Sequence, residues 1–157
     1  MDLQLQALPR RLQAMTLAHH APAIDAPDLP SALDALRARG LRVSASRRQV
    51  LEALYADRRP RTAEEIAHNA DLASVYRNLD TLEELGLVRH VHLGHGPGLY
   101  TVDEYEFVVC EHCGAYDAVE PHRLDAAREL IERELGYHPR FTHFPIVGVC
   151  RGCHAHS

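Results

Sequence analysis

Every cysteine of the chain falls in one of two hairpins, Cys110-Glu111-His112-Cys113 and Cys150-Arg151-Gly152-Cys153. Each hairpin sets two sulfurs close enough to grip one ion, and four thiolates about 2.3 Å from a metal form a closed, structural Zn²⁺ site. Two disulfides would require an oxidising compartment, and the start Met1-Asp2-Leu3-Gln4-Leu5-Gln6 lacks the basic and apolar stretches of a secretory signal. A redox pair would use one hairpin and leave the other unexplained. The 36 residues between the hairpins exceed the roughly 15 to 20 of a compact zinc ribbon. The metal therefore has to join two distant edges of a small unit that carries a helix and strands of its own.

The 157 residues hold one medium domain or two small ones, and no apolar run approaches the length of a membrane span. The expectation is a cytoplasmic protein with no membrane partner. A net charge of −5 argues against a nucleic-acid ligand until it is divided along the chain. Ser31 to Val91 carries 10 Arg against 9 acids, whereas His92 to Ser157 carries 5 Arg against 10. Arg39, Arg42, Arg47, Arg48, Arg58, Arg59 and Arg61 are interrupted only by Glu52 and Asp57, a basic stripe suited to phosphates.

Residues 1–30 read as an arm and linker: a short amphipathic stretch from Leu3 to Leu17, His19 and His20 in solvent, and a connector with Pro22, Pro27 and Pro30. Residues 31–102 read as helices followed by a hairpin. Ser31 is the expected cap of a first helix, Ser44 or Ser46 of a second, and Thr62-Ala63-Glu64-Glu65 the capping box of a short third. Val75, Leu79, Leu82 and Leu85 define one face of a fourth helix from Leu72 to Leu85, closed by Gly86. Strands from Leu87 to Leu93 and Leu99 to Val102 flank a glycine turn.

Helices followed by a two-stranded wing spell a winged helix-turn-helix, whose last helix enters the major groove of double-stranded DNA. Ser74, Tyr76 and Arg77 are its early exposed residues, and arginine makes bidentate contacts to guanine. Tyr76 capping the core and Arg77 pairing with Asp80 or Glu84 is the alternative. Residues 103–157 read as a dimerisation and metal-binding unit: strands from Tyr105 to Val109 and Ala115 to Val119, a helix from Pro121 to Gly136, and a strand from Phe141 to Val149. This β-β-α-β unit leaves an edge strand unpaired and is small enough to need zinc and dimerisation for stability. The expected fold class is α+β.

In series, Gly40-Leu41-Arg42-Val43 with Arg47, Ala63-Glu64-Glu65-Ile66, Leu72-Ala73-Ser74-Val75-Tyr76-Arg77-Asn78-Leu79, Gly86-Leu87-Val88, Cys110-Glu111-His112-Cys113-Gly114 and the Cys150/Cys153 pair resemble the ferric uptake regulator superfamily of metal-responsive repressors. The resemblance runs from about Gly40 to Cys153. It implies a homodimer whose winged helices read an AT-rich palindrome, with structural zinc on Cys110, Cys113, Cys150 and Cys153. By resemblance Tyr76 and Arg77 read bases and Arg42 enters the minor groove.

The regulatory metal is where the chain departs from the pattern. Tyr105 and Phe107 stand where the family places two hinge ligands, Pro60 where it places a histidine, and Thr101 or Gly98 where it places an acid. A second family site, inside the dimerisation unit, falls on Glu104, Glu106, Asp125 and His143, with His122 able to replace Asp125. Strand alternation would put Glu104 and Glu106 on one face. Such an oxygen-rich set suits Mn²⁺ or Fe²⁺, with Zn²⁺ competing on affinity. A solvated acidic face is the alternative. His90 and His92, alternate residues of the wing, offer another site with His95 and with Asp103 or Glu104, or simply approach phosphates. His112, His138, His154 and His156 read as surface residues.

The leading reading is a metal-responsive repressor of metal-homeostasis genes. Its alternative is a repressor without a divalent sensor, constitutive or redox-responsive through its zinc thiolates. Four thiolates close the metal shell, and no nucleophile elbow, phosphate loop or His-Glu-x-x-His is present, which argues against an enzyme. A pure protein-interaction module is the reading left if DNA is not bound.

Overall fold

The computed structural model describes residues 22–94, 96–141 and 145–155. The stretch from Leu3 to Leu17, with His19, His20, His95, His143 and His156, lies outside the described residues.

The first helix, α1, spans Leu29–Ala38 and starts three residues earlier than a cap at Ser31 would place it. Asp28 caps it instead of Ser31: its Oδ1 accepts from the Ser31 amide at 2.8 Å. Pro30 sits in the first turn, where a missing N–H costs nothing. The connector before it is tied down, since the Ile24 amide donates to the Gly86 carbonyl and the Tyr55 hydroxyl to the Ala26 carbonyl.

Helix α2 spans Ala45–Tyr55 and is capped by Ser44. After the short strand β1, Arg61–Thr62, the expected capping box opens α3, Ala63–Ala67. The turn that follows places His68 at φ +50°, an unusual conformation for a residue with a side chain. Asp71 then caps α4, Leu72–Glu84, its carboxylate accepting from the Ser74 amide at 2.9 Å. Gly86, at φ +78°, closes that helix.

Strands β2, Arg89–His92, and β3, Gly98–Thr101, form the wing, pairing His90 with Tyr100 and His92 with Gly98. The sheet has one more strand than the sequence reading supplied. Its order is β1-β3-β2, with Thr62 opposite Leu99. Two residues carry no legible periodicity, so β1 escapes a pattern argument.

One apolar core joins these elements, from Ala26 to Tyr100, with Leu36, Leu51, Leu54, Leu79 and Leu82 fully buried. The face of α4 that carries Val75, Leu79 and Leu82 is held between α2 and α3 by this packing, each leucine contributing about 1.5–3 kcal/mol. Its opposite face is left outward.

The second sheet contains β4, Glu106–Cys110, β5, Tyr116–Val119, and β6, Ile146–Gly148, in the order β5-β4-β6. Strand β5 pairs antiparallel with β4, and β6 parallel to it. Pro121 opens a 3₁₀ turn, Pro121–Leu124, before the helix proper, α5, Asp125–Leu135, begins. A final short helix, α6, spans Arg151–His154. The fold is α+β, as expected from the sequence.

No residue of α5 is buried, and Leu130, Leu135, Tyr137, Tyr116, Val147 and Val149 all expose much of their apolar surface. Strands β5 and β6 are the two edges of this sheet among the described residues, and Val147 of β6 is 60% exposed. Among the described residues no helix is long and apolar enough to cross a membrane.

Replacing Leu79 with alanine leaves a cavity between α4 and α2 and is expected to lower stability by about 2–5 kcal/mol. A urea melt of the full-length protein checks this, a loss below about 1 kcal/mol contradicting a tightly packed core around α4.

Candidate nucleic-acid interface and metal centre

The register of β6 against β4 builds the cysteine cluster. Pairing Val108 with Ile146 and Cys110 with Gly148 sets the second hairpin directly beside the first. The Glu111 amide donates to the Gly148 carbonyl at 2.9 Å, extending the ladder to the first hairpin's turn. That turn closes through the Gly114 amide and the Cys110 carbonyl, with Gly114 at φ +72°. Cys150 occupies the N-cap of α6, so the single turn of that helix returns Cys153 to the same point.

The four Sγ atoms lie within 4.8 Å of one another, and Cys113 and Cys150 are 3.8 Å apart. A tetrahedron with metal–sulfur bonds of about 2.3 Å has edges of about 3.8 Å, whereas a disulfide requires about 2.05 Å. None of the four cysteines is in a disulfide. Without a cation the thiols divide their protons unevenly. Backbone amides, that of Cys150 foremost, draw Cys110 down to about 6, and hydrogen bonds with Cys150 and Cys113 push Cys153 up to about 12. The donor set and its spacing fit Zn²⁺.

The outward face of α4 begins with Tyr76 and Arg77, whereas Ser74, expected to be exposed, is half-buried. Tyr76 is 39% exposed, and its hydroxyl donates to Glu64 Oε1 at 3.3 Å. Arg77 lies 3.8 Å from Asp71, the helix cap, rather than beside Asp80 or Glu84. Both members of that pair are exposed, so it is worth at most about 1 kcal/mol and exchanges easily for a phosphate or base.

Arg42 is exposed just before α2, and its carbonyl accepts from Arg47 Nη1 at 2.7 Å. Arg47 thus turns back onto the loop. Asn78 was missed by the sequence reading: it is 7% exposed and donates to the Ser74 carbonyl and to Ser46 Oγ, tying α4 to α2. Its only sequence signal was a polar residue adjoining the Val75/Leu79 stripe.

Three arginines of the basic stripe are diverted. Arg59 and Arg61 pair with Asp57. Arg58, at φ +58°, bonds both carboxylate oxygens of Asp103 and the Pro27 carbonyl, and lies 5.2 Å from the Tyr55 ring centroid. Its own carbonyl accepts from the Tyr105 hydroxyl at 3.1 Å. The hinge between the wing and the second sheet is therefore closed by a guanidinium and a phenol. Phe107, at another expected ligand position, is buried 6.2 Å from Tyr116. Thr101 is also buried, its hydroxyl accepting from the Asp103 amide.

Glu104 and Glu106 do not share a strand face as the alternation suggested. Strand β4 starts only at Glu106, so the alternation does not reach back to Glu104. Glu104 is exposed, 3.6 Å from Arg89 of the wing. Glu106 is 1% exposed and bonded to Arg128 of α5, whose other terminal nitrogen reaches Asp125 Oδ1 at 2.7 Å. Among the described residues only the four cysteines converge on one point. His122 is exposed beside Glu120. As arranged, the three described acidic residues do not fit a regulatory ion.

His90 and His92 do share a face, with ring centroids 4.4 Å apart, and His90 stacks on Tyr100 at 4.5 Å. His90 Nδ1 lies 3.8 Å from Glu83. Asp103 and Glu104, the proposed partners of these histidines, are engaged by Arg58 and Arg89. Gly98 makes room for the stack, because a Cβ there would fall 2.3 Å from His90 Nε2.

A winged helix carrying an open recognition face, joined to a sheet stapled by four cysteines, defines the class of metal-binding DNA-binding regulators. The Ferric uptake regulator family matches residues 38–144, and the chain belongs to it. The Peroxide operon regulator of Bacillus subtilis is 30% identical over 136 residues, covering 80% of this chain and 93% of its own. The Ferric uptake regulation protein of the same organism is 32% identical over 88 residues, 52% of this chain and 59% of its own. Among solved structures, the Helicobacter pylori ferric uptake regulator has a TM-score of 0.59 at 21% identity, covering 85% of this chain and 97% of its own. A zinc-bound manganese uptake regulator reaches 0.58 at 19% identity, covering 76% and 98%. These relatives are regulators and not enzymes.

Replacing Cys113 with serine is expected to release the metal and to unfold the second sheet while the helical core persists, because binding at such a site is itself folding free energy, about 10–16 kcal/mol in zinc-finger peptides. Metal analysis with circular dichroism checks this, full metal content in the variant contradicting it. Arg58→Ala removes the hinge contacts. Amide exchange across residues 102–106 is expected to accelerate with bound metal unchanged, and unaltered exchange would show that the clasp is not what orders the hinge.

Proposed function

We propose that the chain is a homodimeric, metal-responsive transcriptional repressor of metal-homeostasis genes that binds a palindromic operator in double-stranded DNA. Zn²⁺ held by Cys110, Cys113, Cys150 and Cys153 is its structural metal, and the cytoplasm its setting. The observation that carries the reading is the start of α4, where Tyr76 and Arg77 are exposed, with the half-buried Ser74 beside them, on a helix whose other face is locked into the core. Arg42 lies on the same half of the molecule as a candidate groove contact. Dimerisation is supported by the exposed apolar residues of α5 and β6, which a second copy would cover. Two-fold symmetry would then present two recognition helices to half-sites one or more helical turns apart. Metal response follows if an ion binds the DNA-competent arrangement better than its alternative.

A second reading removes the divalent sensor, and Arg128 between Glu106 and Asp125 is the observation that favours it. Repression would then be constitutive, or sensitive to peroxide through oxidation of the zinc thiolates. A relative of Staphylococcus saprophyticus is named a peroxide-responsive repressor, which supports a response to peroxide without indicating its chemistry.

Footprinting upstream of metal-transport genes with Mn²⁺, Fe²⁺ or Zn²⁺ separates the two. Equal protection with every metal, and with none beyond the structural zinc, contradicts metal sensing. Arg77→Ala is expected to weaken operator binding by about 1–3 kcal/mol, roughly 5- to 150-fold, if it reads a base. An unchanged affinity would remove Arg77 from the interface.

A further inference from the structure

Residues 102–105 join the wing to the second sheet, between β3 and β4, and each of them is tied to the winged unit. Val102 packs on the helical core. The Asp103 amide donates to Thr101 Oγ1 at 3.1 Å, and its carboxylate accepts from Arg58 Nε at 2.7 Å and from Nη2 of the same guanidinium. Glu104 lies 3.6 Å from Arg89 of β2. The Tyr105 hydroxyl donates to the Arg58 carbonyl at 3.1 Å. The ties of Asp103 and Tyr105 therefore both run through Arg58.

Arg58 follows α2 at φ +58°, a conformation that residues with a side chain seldom adopt and that surrounding contacts must hold. Its Nη1 donates to the Pro27 carbonyl, and its guanidinium carbon lies 5.2 Å from the Tyr55 ring centroid. The planar fork thus joins the N-terminal connector, the end of α2 and the hinge in one fixed geometry. Beside β1 and β5 the two units leave a cleft of about 300 Å³ lined by Arg59, Arg61, Tyr116 and Ala118. Units that face each other across a polar cleft move relative to one another unless the link between them is rigid.

The angle matters because the two surfaces a dimeric regulator needs belong to different units. The recognition face is on α4, whereas the exposed apolar residues are on α5 and β6. Strand β4 is the central strand of its sheet, so its direction of departure from the hinge orients that whole surface. In a two-fold dimer the separation and twist between the α4 helices then follow from the hinge. We propose that Arg58 is a positioning residue that locks this angle and so sets the half-site spacing the dimer accepts. The proposal rests on the reading of the chain as a homodimeric regulator on a palindromic operator. One base pair more or less moves a half-site by about 3.4 Å and turns it by about 35°. A locked hinge cannot follow that change, and a loosened one can.

The probes are duplexes carrying the footprinted half-sites at native spacing and at one base pair more or less, with a single half-site as reference. The wild type is expected to bind the altered spacings at least about tenfold more weakly, the cost of deforming DNA to fit a rigid dimer. Arg58→Gly removes the guanidinium and keeps the turn, since glycine takes a positive φ without strain. It is expected to cut the discrimination to below about threefold with half-site affinity unchanged. Asp103→Asn opens the clasp from the other side and is expected to act in the same direction. Discrimination that survives in both variants overturns the proposal, as does a fall in half-site affinity with the spacing preference intact, the mark of a purely structural role. Small-angle X-ray scattering of the zinc-loaded, full-length proteins reads the hinge without DNA: a broader distance distribution in R58G supports the lock, and superimposable profiles overturn it. A wild type that binds no DNA, with R58G still broadening the scattering, sinks the regulator reading and leaves the lock standing.

Discussion

The parallel pairing of β6 with β4 is the constraint on which the second half of the molecule depends. The two strands lie more than thirty residues apart in the chain, and only their register places Cys110 opposite Gly148 and so brings both hairpins to one point. Closing a loop of that length costs entropy that three short strands and an uncovered helix do not readily offset. A metal held by the four thiols would supply the missing stabilisation, and its closed shell would make it scaffolding rather than a sensor. The recognition helix is held differently, by leucines packed among three helices, so its presentation does not depend on the metal.

Charge is organised around arginine throughout. The chain has no lysine, and its guanidiniums do three kinds of work. Arg77 is exposed and loosely paired, available to a nucleic acid. Arg58 clasps Asp103 and the Pro27 carbonyl, and its own carbonyl accepts from Tyr105, one of the positions where the family was expected to place a hinge ligand. Arg128 neutralises Glu106, the one fully buried acid among the described residues. The planar fork of arginine suits the latter two tasks because it satisfies two acceptors in fixed geometry.

Much of the first half was legible in the sequence because its signals are local. A capping box at Thr62, a serine cap at Ser44 and a 3.6-residue stripe from Val75 to Leu82 are each set by nearby residues and need nothing distant. The misses have physical reasons too. Asp28 displaced Ser31 as the cap because either oxygen can serve and only the path of the connector chooses. Strand β1 is too short for a pattern. Glu104 parted from Glu106 because alternation holds only inside a strand, and the strand begins one residue after Tyr105.

The sequence by itself determined the family, the four converging thiols and the helix with an exposed early turn, since spacing within a few residues encodes each of them. Only the tertiary structure decided the fate of the acidic residues. Whether Glu106 meets a metal or a guanidinium depends on where α5 lies against β4, and that follows from packing between segments more than twenty residues apart. Spacing along a chain selects which donors exist. Packing selects which cation reaches them first.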